Sequence, residues 1–387
     1  VGEKPKGLLY ISFVRCDSVI SLKQLTAQYD TNEENLKQRI KESTIPATIK
    51  NFKITTYNED STAVVIDMTD YLVSADEAID PFSPWAPILA GGERVMEKEF
   101  RRENSQVVSI KAFEDNVSVK SSLTYGLSLK NKVMYIFQRE PFTAVMTRSF
   151  ILLPEHPMRP RLADPRIAIF SQGVSVFNGD SRGAQARYYA QRWNLEPKDM
   201  EQYRKGVLTE PKKPIVFYVD NTFPENWKKY IKEGVEVWQM AFEKIGFKNA
   251  IVARDFPVDD VTFDPDNLKY SCIRYLPSST ANAMGPSWVD PTTGEIVNAS
   301  VLVYNDVIRL INNWRFVQTA QIDPSVRAKK MPDDIVKESI AYVVAHEVGH
   351  CLGFMHNMSA SAAYPVDSLR SASFTNTYGT TPCIMDY

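Results

Sequence analysis

Several things are scarce in this sequence, and each scarcity closes off a class of protein. Long apolar runs are missing: nothing approaches the roughly 18 residues that a membrane-spanning helix needs, so no transmembrane segment is expected. Cysteine is rare, four residues in 387, too few for a scaffold built on disulfides. Neither sign of charge dominates. The formal net charge is -2, which leaves no strong global field to draw the chain to nucleic acid or an acidic membrane. No basic helix or aromatic-interleaved strand motif is present to read a nucleic acid, so no nucleic-acid partner is expected. Internal repeats and low-complexity tracts are absent too. What remains is ordinary globular composition, 44% hydrophobic and 24% charged, at a length that suggests two domains or three small ones. The chain opens on VGEKPKGLL, without an initiator Met or leader pattern, and closes on CIMDY. Both ends read as cut, so the missing leader says nothing about secretion. Histidine is as scarce as cysteine: His156, His346, His350 and His356. Three of these fall in one stretch near the C-terminus.

Residues 1–155 read mainly as strand. Leu8–Arg15, Ala63–Met68, Val107–Ala112 and Val117–Leu123 are β-branched and aromatic runs, several of them alternating polar and apolar residues. One helical interruption is expected around Ser18–Lys41. The expectation is a β-rich, antiparallel N-terminal domain with no site signal. Residues 156–213 carry RPRLADPR, a Gly-containing stretch around Gly173–Gly183 and a surplus of basic residues. They read as a connector packed across the next domain, with a substrate-steering basic lip as the alternative. His156, between two prolines in LPEHP, reads as an exposed loop residue.

From Pro214 the pattern alternates β and α. A strand at Ile215–Val219 precedes a capping box, Thr222 and Glu225, and a helix to Ile245 with Trp227, Ile231, Val235, Trp238, Phe242 and Ile245 on one face. Ala283–Val289 and Ile296–Tyr304 flank the turn-rich DPTTG and read as a hairpin. Further helices are expected over Asp306–Ala320 and Ile335–Leu352, the second capped by Asp333 or Asp334.

That last helix carries AHEVGHCLGFMH from Ala345. His346 and His350 are four apart, so a helix sets both imidazoles on one face, able to share a metal ion. Glu347 stands next to the first of them and can address a water on that ion. Gly353 falls where the helix should stop; lacking a Cβ, it can turn left-handed and reverse the chain. His356, three residues on, can swing back as a third nitrogen ligand. Three protein ligands and one open position describe a catalytic zinc site. H-E-x-x-H alone is a moderate signal. Gly353 and His356 in register make it a specific one. For Cys351 and Cys383, which flank the cluster, two readings stand: a disulfide, or buried thiols, which so few cysteines favour.

The motif His346-Glu347-x-x-His350-x-x-Gly353-x-x-His356 (HExxHxxGxxH) resembles the extended zinc motif of the metzincin metallopeptidases, and Cys383-Ile384-Met385-Asp386-Tyr387 resembles their Met-turn. Over residues 157–387, PRLADPR, KKPIVFYVDNTFPENWKKYIKEGVEVWQMAFEKIGF, ANAMGPSWVDPTTGEI and HEVGHCLGFMHN look like the large secreted bacterial zinc-dependent metalloproteases with flanking domains of unknown function. In that family the chain usually continues past the Met-turn, and Cys351 and Cys383 stand where Thr or Ser would be usual.

The resemblance implies an α+β architecture: a zincin-like catalytic domain over residues 214–387, with a mixed sheet and an active-site helix, preceded by the connector and the β-rich domain. It implies one catalytic Zn2+ on His346, His350 and His356, and endopeptidase hydrolysis of a protein or peptide substrate by a zinc-bound water with Glu347 as general base. Tyr387 would support the oxyanion, or else be a packed aromatic at the chain end. Met385 would be an apolar floor without chemistry, and Gly353 the turn. Asp386 has no partner that the sequence names. Ala283, Met284 and Gly285 would form the edge strand that takes up substrate, or an ordinary hairpin edge. A secreted or cell-envelope location follows from the same resemblance. Two alternatives remain open: a catalytically silent zinc-binding scaffold of the cell envelope, and a zinc amidase acting on peptidoglycan peptides.

Overall fold

A computed structural model describes residues 8–76, 81–82, 95–131, 134–179 and 183–386. Its N-terminal part holds an antiparallel sheet in the order Ile11–Cys16, Val19–Gln24, Ala47–Tyr57, Val64–Ile66. The first hairpin closes through Asp17 and Ser18, with Cys16 opposite Val19 and Asp17 in the left-handed region at φ 54°, the backbone a two-residue turn demands. A second antiparallel sheet consists of three long strands, Val95–Ala112, Asn116–Lys130 and Tyr135–Ile151. Leu22, Phe52, Tyr71, Leu72 and Val119 form a small core between the two sheets. Val73, Leu123 and Tyr125 form another.

The helix expected over Ser18–Lys41 is a correction. Only Glu34–Ser43 is helical, and Val19–Gln24 is a central strand. Ile20 and Leu22 alternate as a strand does, while Leu22 and Leu25 keep helical spacing, and partners on both sides decide for the strand.

The connector pairs Ser171–Val176 with Gln185–Ala190, and Tyr29–Asp30 joins the first of these in parallel. Beyond Pro214 a five-stranded sheet runs in the order Ile251–Asp255, Ile215–Val219, Ser271–Leu276, Val301–Tyr304, Ala283–Met284. Its first four strands are parallel and the edge strand is antiparallel. One buried cluster runs through this region from Ile215 to Leu352. No helix among the described residues is long and apolar enough to cross a membrane.

Three local expectations fail here for physical reasons. Thr222 does not cap its helix: the Asp220 carboxylate accepts both its N–H and its hydroxyl, at 2.9 and 2.8 Å, and Pro224 takes the N-cap place without a side-chain bond. That helix, Glu225–Glu236, breaks before a short continuation at Gln239–Lys244, and Ile245 is exposed. The hairpin expected from 283 to 304 splits in two: Ser287–Val289 pairs with Ile296–Ala299, while Ala283–Met284 joins the large sheet.

The last helix, Asp333–Cys351, starts two residues earlier than expected. Asp333 and Asp334 lie inside its first turn, where their charge suits the positive end of the helix dipole. Ile340, Val343, Val344, Ala345, His346, Val348, Gly349 and Cys351 are all buried, so the helix is enclosed on several faces and its histidines are held rigidly. It crosses the Glu225–Glu236 helix closely. A Cβ on Gly234 would meet the Ala341 carbonyl oxygen at 2.6 Å.

Candidate metal centre

His346 and His350 project from the last turns of this helix. Gly353 then adopts φ 101°, a conformation costly to a residue with a Cβ. Its N–H donates to His350 O at 2.9 Å and the Phe354 N–H to Gly349 O at 3.0 Å. The reversal brings His356 back beside the other two. One ligand atom from each histidine lies within 4.8 Å of the others, and His350 Nε2 and His356 Nε2 are 3.2 Å apart.

The outward nitrogens are assigned by their partners. His346 Nδ1 lies 2.8 Å from the Ile384 carbonyl oxygen and His350 Nδ1 lies 2.8 Å from that of Phe354. A carbonyl only accepts, so both Nδ1 atoms carry the proton, and Nε2 is left as the donor atom a metal requires. Two imidazole nitrogens on a tetrahedral zinc would sit roughly 3.4 Å apart, close to the separation seen here. The donor set therefore fits zinc. Burial lowers the pKa of His346 and His350, in opposition to their carbonyl hydrogen bonds, which keeps the rings neutral as ligands must be. Exposure is graded: His346 is buried, His350 half-buried and His356 exposed, so the site opens to solvent on the His356 side.

Glu347 is the titratable neighbour of this triad. Burial pushes its carboxyl up to about 7, offset in part by a hydrogen bond from the Gly285 N–H. Gly285 follows the edge strand Ala283–Met284, in which Ala283 is buried and Met284 half-buried. The missing Cβ of Gly285 serves the helix itself, since a Cβ there would run into the Glu347 carbonyl oxygen and meet Cys351 Sγ at 3.2 Å.

Met385 is buried beneath the helix, and its sulfur occupies the space a Cβ on Gly349 would need, with Trp238 at 2.9 Å from the same point. Asp386 accepts from the Ser361 hydroxyl and from Thr381 Oγ1 at 2.7 Å. These two bonds hold its carboxyl below the usual range. Tyr387 lies outside the described residues. All four cysteines are free. Cys351 is enclosed, and burial pushes its thiol well up.

Sequence reasoning missed the supports around the triad. The Trp238 indole donates to Ala345 O at 2.9 Å and stacks on Phe354 at 11°. From the connector, the Phe170 N–H donates to Gly353 O at 2.8 Å, the Met355 N–H donates to Ala168 O at 2.9 Å, and the Trp193 indole donates to Cys351 O at 2.9 Å. The Phe170 ring stands 6.0 Å from that of His350. The glycine between the second and third motif positions, Gly349, was the one signal in the sequence of a close approach there.

Two family models match this chain. The domain of unknown function DUF5117 matches residues 4–198, just over half of the chain. A Met-zincin model matches residues 328–387, which include the whole histidine triad, Glu347 and the Met-turn residues. No curated protein and no solved structure matches. The Met-zincin match and the three clustered histidines together support a metzincin-like zinc metallopeptidase that binds zinc.

Proposed function

The chain belongs to the DUF5117 family and carries a Met-zincin segment, and on that premise we propose that it is a zinc-dependent endopeptidase. The observation that carries the reading is the convergence of His346, His350 and His356 within 4.8 Å, with the half-buried Glu347 next to the first of them. Zinc held there supplies a Lewis acid that activates water and polarises a carbonyl. Glu347 is the general base. Standing beside the first ligand, it takes a proton from water and later releases it to the departing amine. The Gly285 N–H restrains that carboxylate. Tyr387, two residues past Met385, is assigned to support the oxyanion. An extended substrate adds to the sheet beside Ala283–Met284, the antiparallel edge strand. Secretion or residence in the cell envelope belongs to the same proposal and is checked by fractionating the native host.

The test is direct. Bound metal is measured in the purified protein, and wild type is compared with Glu347→Ala on unfolded protein substrates, with and without a chelator. The expected result is one zinc per chain and chelator-sensitive cleavage that Glu347→Ala loses. A wild type without zinc would sink the site, and equal cleavage by both proteins would sink the base.

A further inference from the structure

The turn from Cys383 to Asp386 touches the metal centre at several points that share no side chain. Its Ile384 carbonyl accepts from His346 Nδ1 at 2.8 Å. Its Met385 carbonyl accepts from the N–H of Asn357, the residue after His356, at 2.8 Å. The Met385 side chain presses on Gly349, between the two. The turn thus contacts the first ligand directly and the third through the adjoining peptide. Its closing bond, Asp386 N–H to Cys383 O, is 3.1 Å long and could not alone hold a four-residue turn in one place.

The Asp386 carboxylate supplies the remaining restraint. The residue is 4% exposed. One oxygen, Oδ2, accepts from both the Ser361 and Thr381 hydroxyls. Ser361 lies five residues past His356 and Thr381 just before the turn, so one carboxylate ties the loop after the third ligand to the turn that orients the first. We propose that Asp386 is a positioning residue of the metal centre, setting His346 and His356 in register for a single ion by clamping the Met-turn to residues 358–363.

The inference rests on the metal site of the proposed function but not on peptide hydrolysis, and the readouts are chosen accordingly. Zinc affinity is measured by chelator competition, and the visible spectrum of the cobalt(II)-loaded protein reports ligand geometry, for wild type, Asp386→Ala and Asp386→Asn. Loss of an outer partner of a metal ligand typically costs about 10- to 100-fold in affinity, and Asp386→Ala is expected in that range with an altered cobalt spectrum. Asp386→Asn keeps an oxygen acceptor for both hydroxyls and is expected within about threefold of wild type. Circular dichroism of the metal-free proteins separates misfolding from mispositioning. Should Asp386→Ala misfold, the Ser361→Ala/Thr381→Ala double variant removes the donors instead and is expected to weaken zinc in the same direction. Wild-type affinity and spectrum in Asp386→Ala, or in the double variant, would overturn the inference, as would Asp386→Asn as weak as Asp386→Ala. A wild type that binds no zinc overturns it together with the proposed function. A wild type that binds zinc but cleaves nothing removes the peptidase alone.

Discussion

The sheets before residue 155 and the sheet after residue 214 bury apolar residues in different ways. The N-terminal strands are long and antiparallel. Their cores are two small clusters around Leu22 and Leu123, and Val108, Ile110 and Val145 remain exposed on them. The C-terminal sheet is short-stranded and mostly parallel, its five strands feed one continuous cluster, and the helix carrying His346 and His350 is part of that cluster. The difference teaches where rigidity is needed. An antiparallel sheet can leave a face to solvent, and the N-terminal sheets do. Three imidazoles converging on one ion need firm support, and here two of them grow from a helix packed into that cluster and the third from the reversal that follows it.

The sharpest way to test that contrast is chemical. Glu347→Gln should cut peptide hydrolysis by roughly 10²- to 10⁴-fold, the usual weight of a general base, while zinc content stays unchanged. No substitution in the N-terminal clusters should separate activity from zinc binding in this way. A smaller but broader effect concerns the cores. Ile340→Ala in the histidine-bearing helix should cost about 2–5 kcal/mol, read as an earlier denaturant midpoint with zinc released in the same transition. Leu22→Ala should lose a similar amount with zinc retained to a later midpoint. If both variants shed zinc together, the two regions unfold as one and the contrast fails.

Gly349→Ala forces a methyl group onto Met385 and Trp238 and should destabilise by about 1–3 kcal/mol, with a loss of zinc affinity that Leu22→Ala does not show. The smallest expected effect lies where the two regions meet. Lys111 on the strand Val95–Ala112 pairs with Asp264 and Asp266, at 2.8 and 2.7 Å, and Asn116 bonds Asn267 at 2.8 Å. Burial works against ionising Asp266, but the Lys111 hydrogen bond and the charges of Lys111, Lys120 and Arg274 together hold its carboxyl below the usual range. A depressed carboxylate stabilises above its unfolded pKa and loses that contribution as pH falls through the lower folded value. Stability should therefore drop below about pH 3.9, by about 1 kcal/mol or less given the partial exposure of the pair. Lys111→Ala should flatten that acid dependence in denaturant midpoints measured across the range.

The legible part of the site was local. His346, Glu347, His350, Gly353 and His356 lie within eleven residues, and a helix of fixed pitch followed by one left-handed glycine converts that spacing into geometry. The strand Ile215–Val219 was legible too, because a short β-branched and aromatic run bounded by turns has few other uses. The misreadings share a cause. Leu22 pairs with Ile20 in a strand's period and with Leu25 in a helix's, and its neighbours across the sheet chose between them. Thr222 is a sound cap by its spacing, yet Asp220 accepts its hydroxyl first. Gly285 was expected on the substrate edge strand, and its missing Cβ also lets the Glu347 backbone pack against it.

By itself the sequence determined which residues can meet one ion, since pitch and chirality act over a few residues and need no partner. Only the tertiary structure decided how they are held. The Ile384 carbonyl that orients His346 lies 38 residues away, and the Ala168 and Phe170 peptides that brace Gly353 and Met355 come from the segment matched by DUF5117. Asp386 found its partners at Ser361 and Thr381. These are hydrogen bonds to backbone groups and hydroxyls that nearly every segment offers, so their pairing follows from where packing brings the chain and leaves no pattern in the sequence to read.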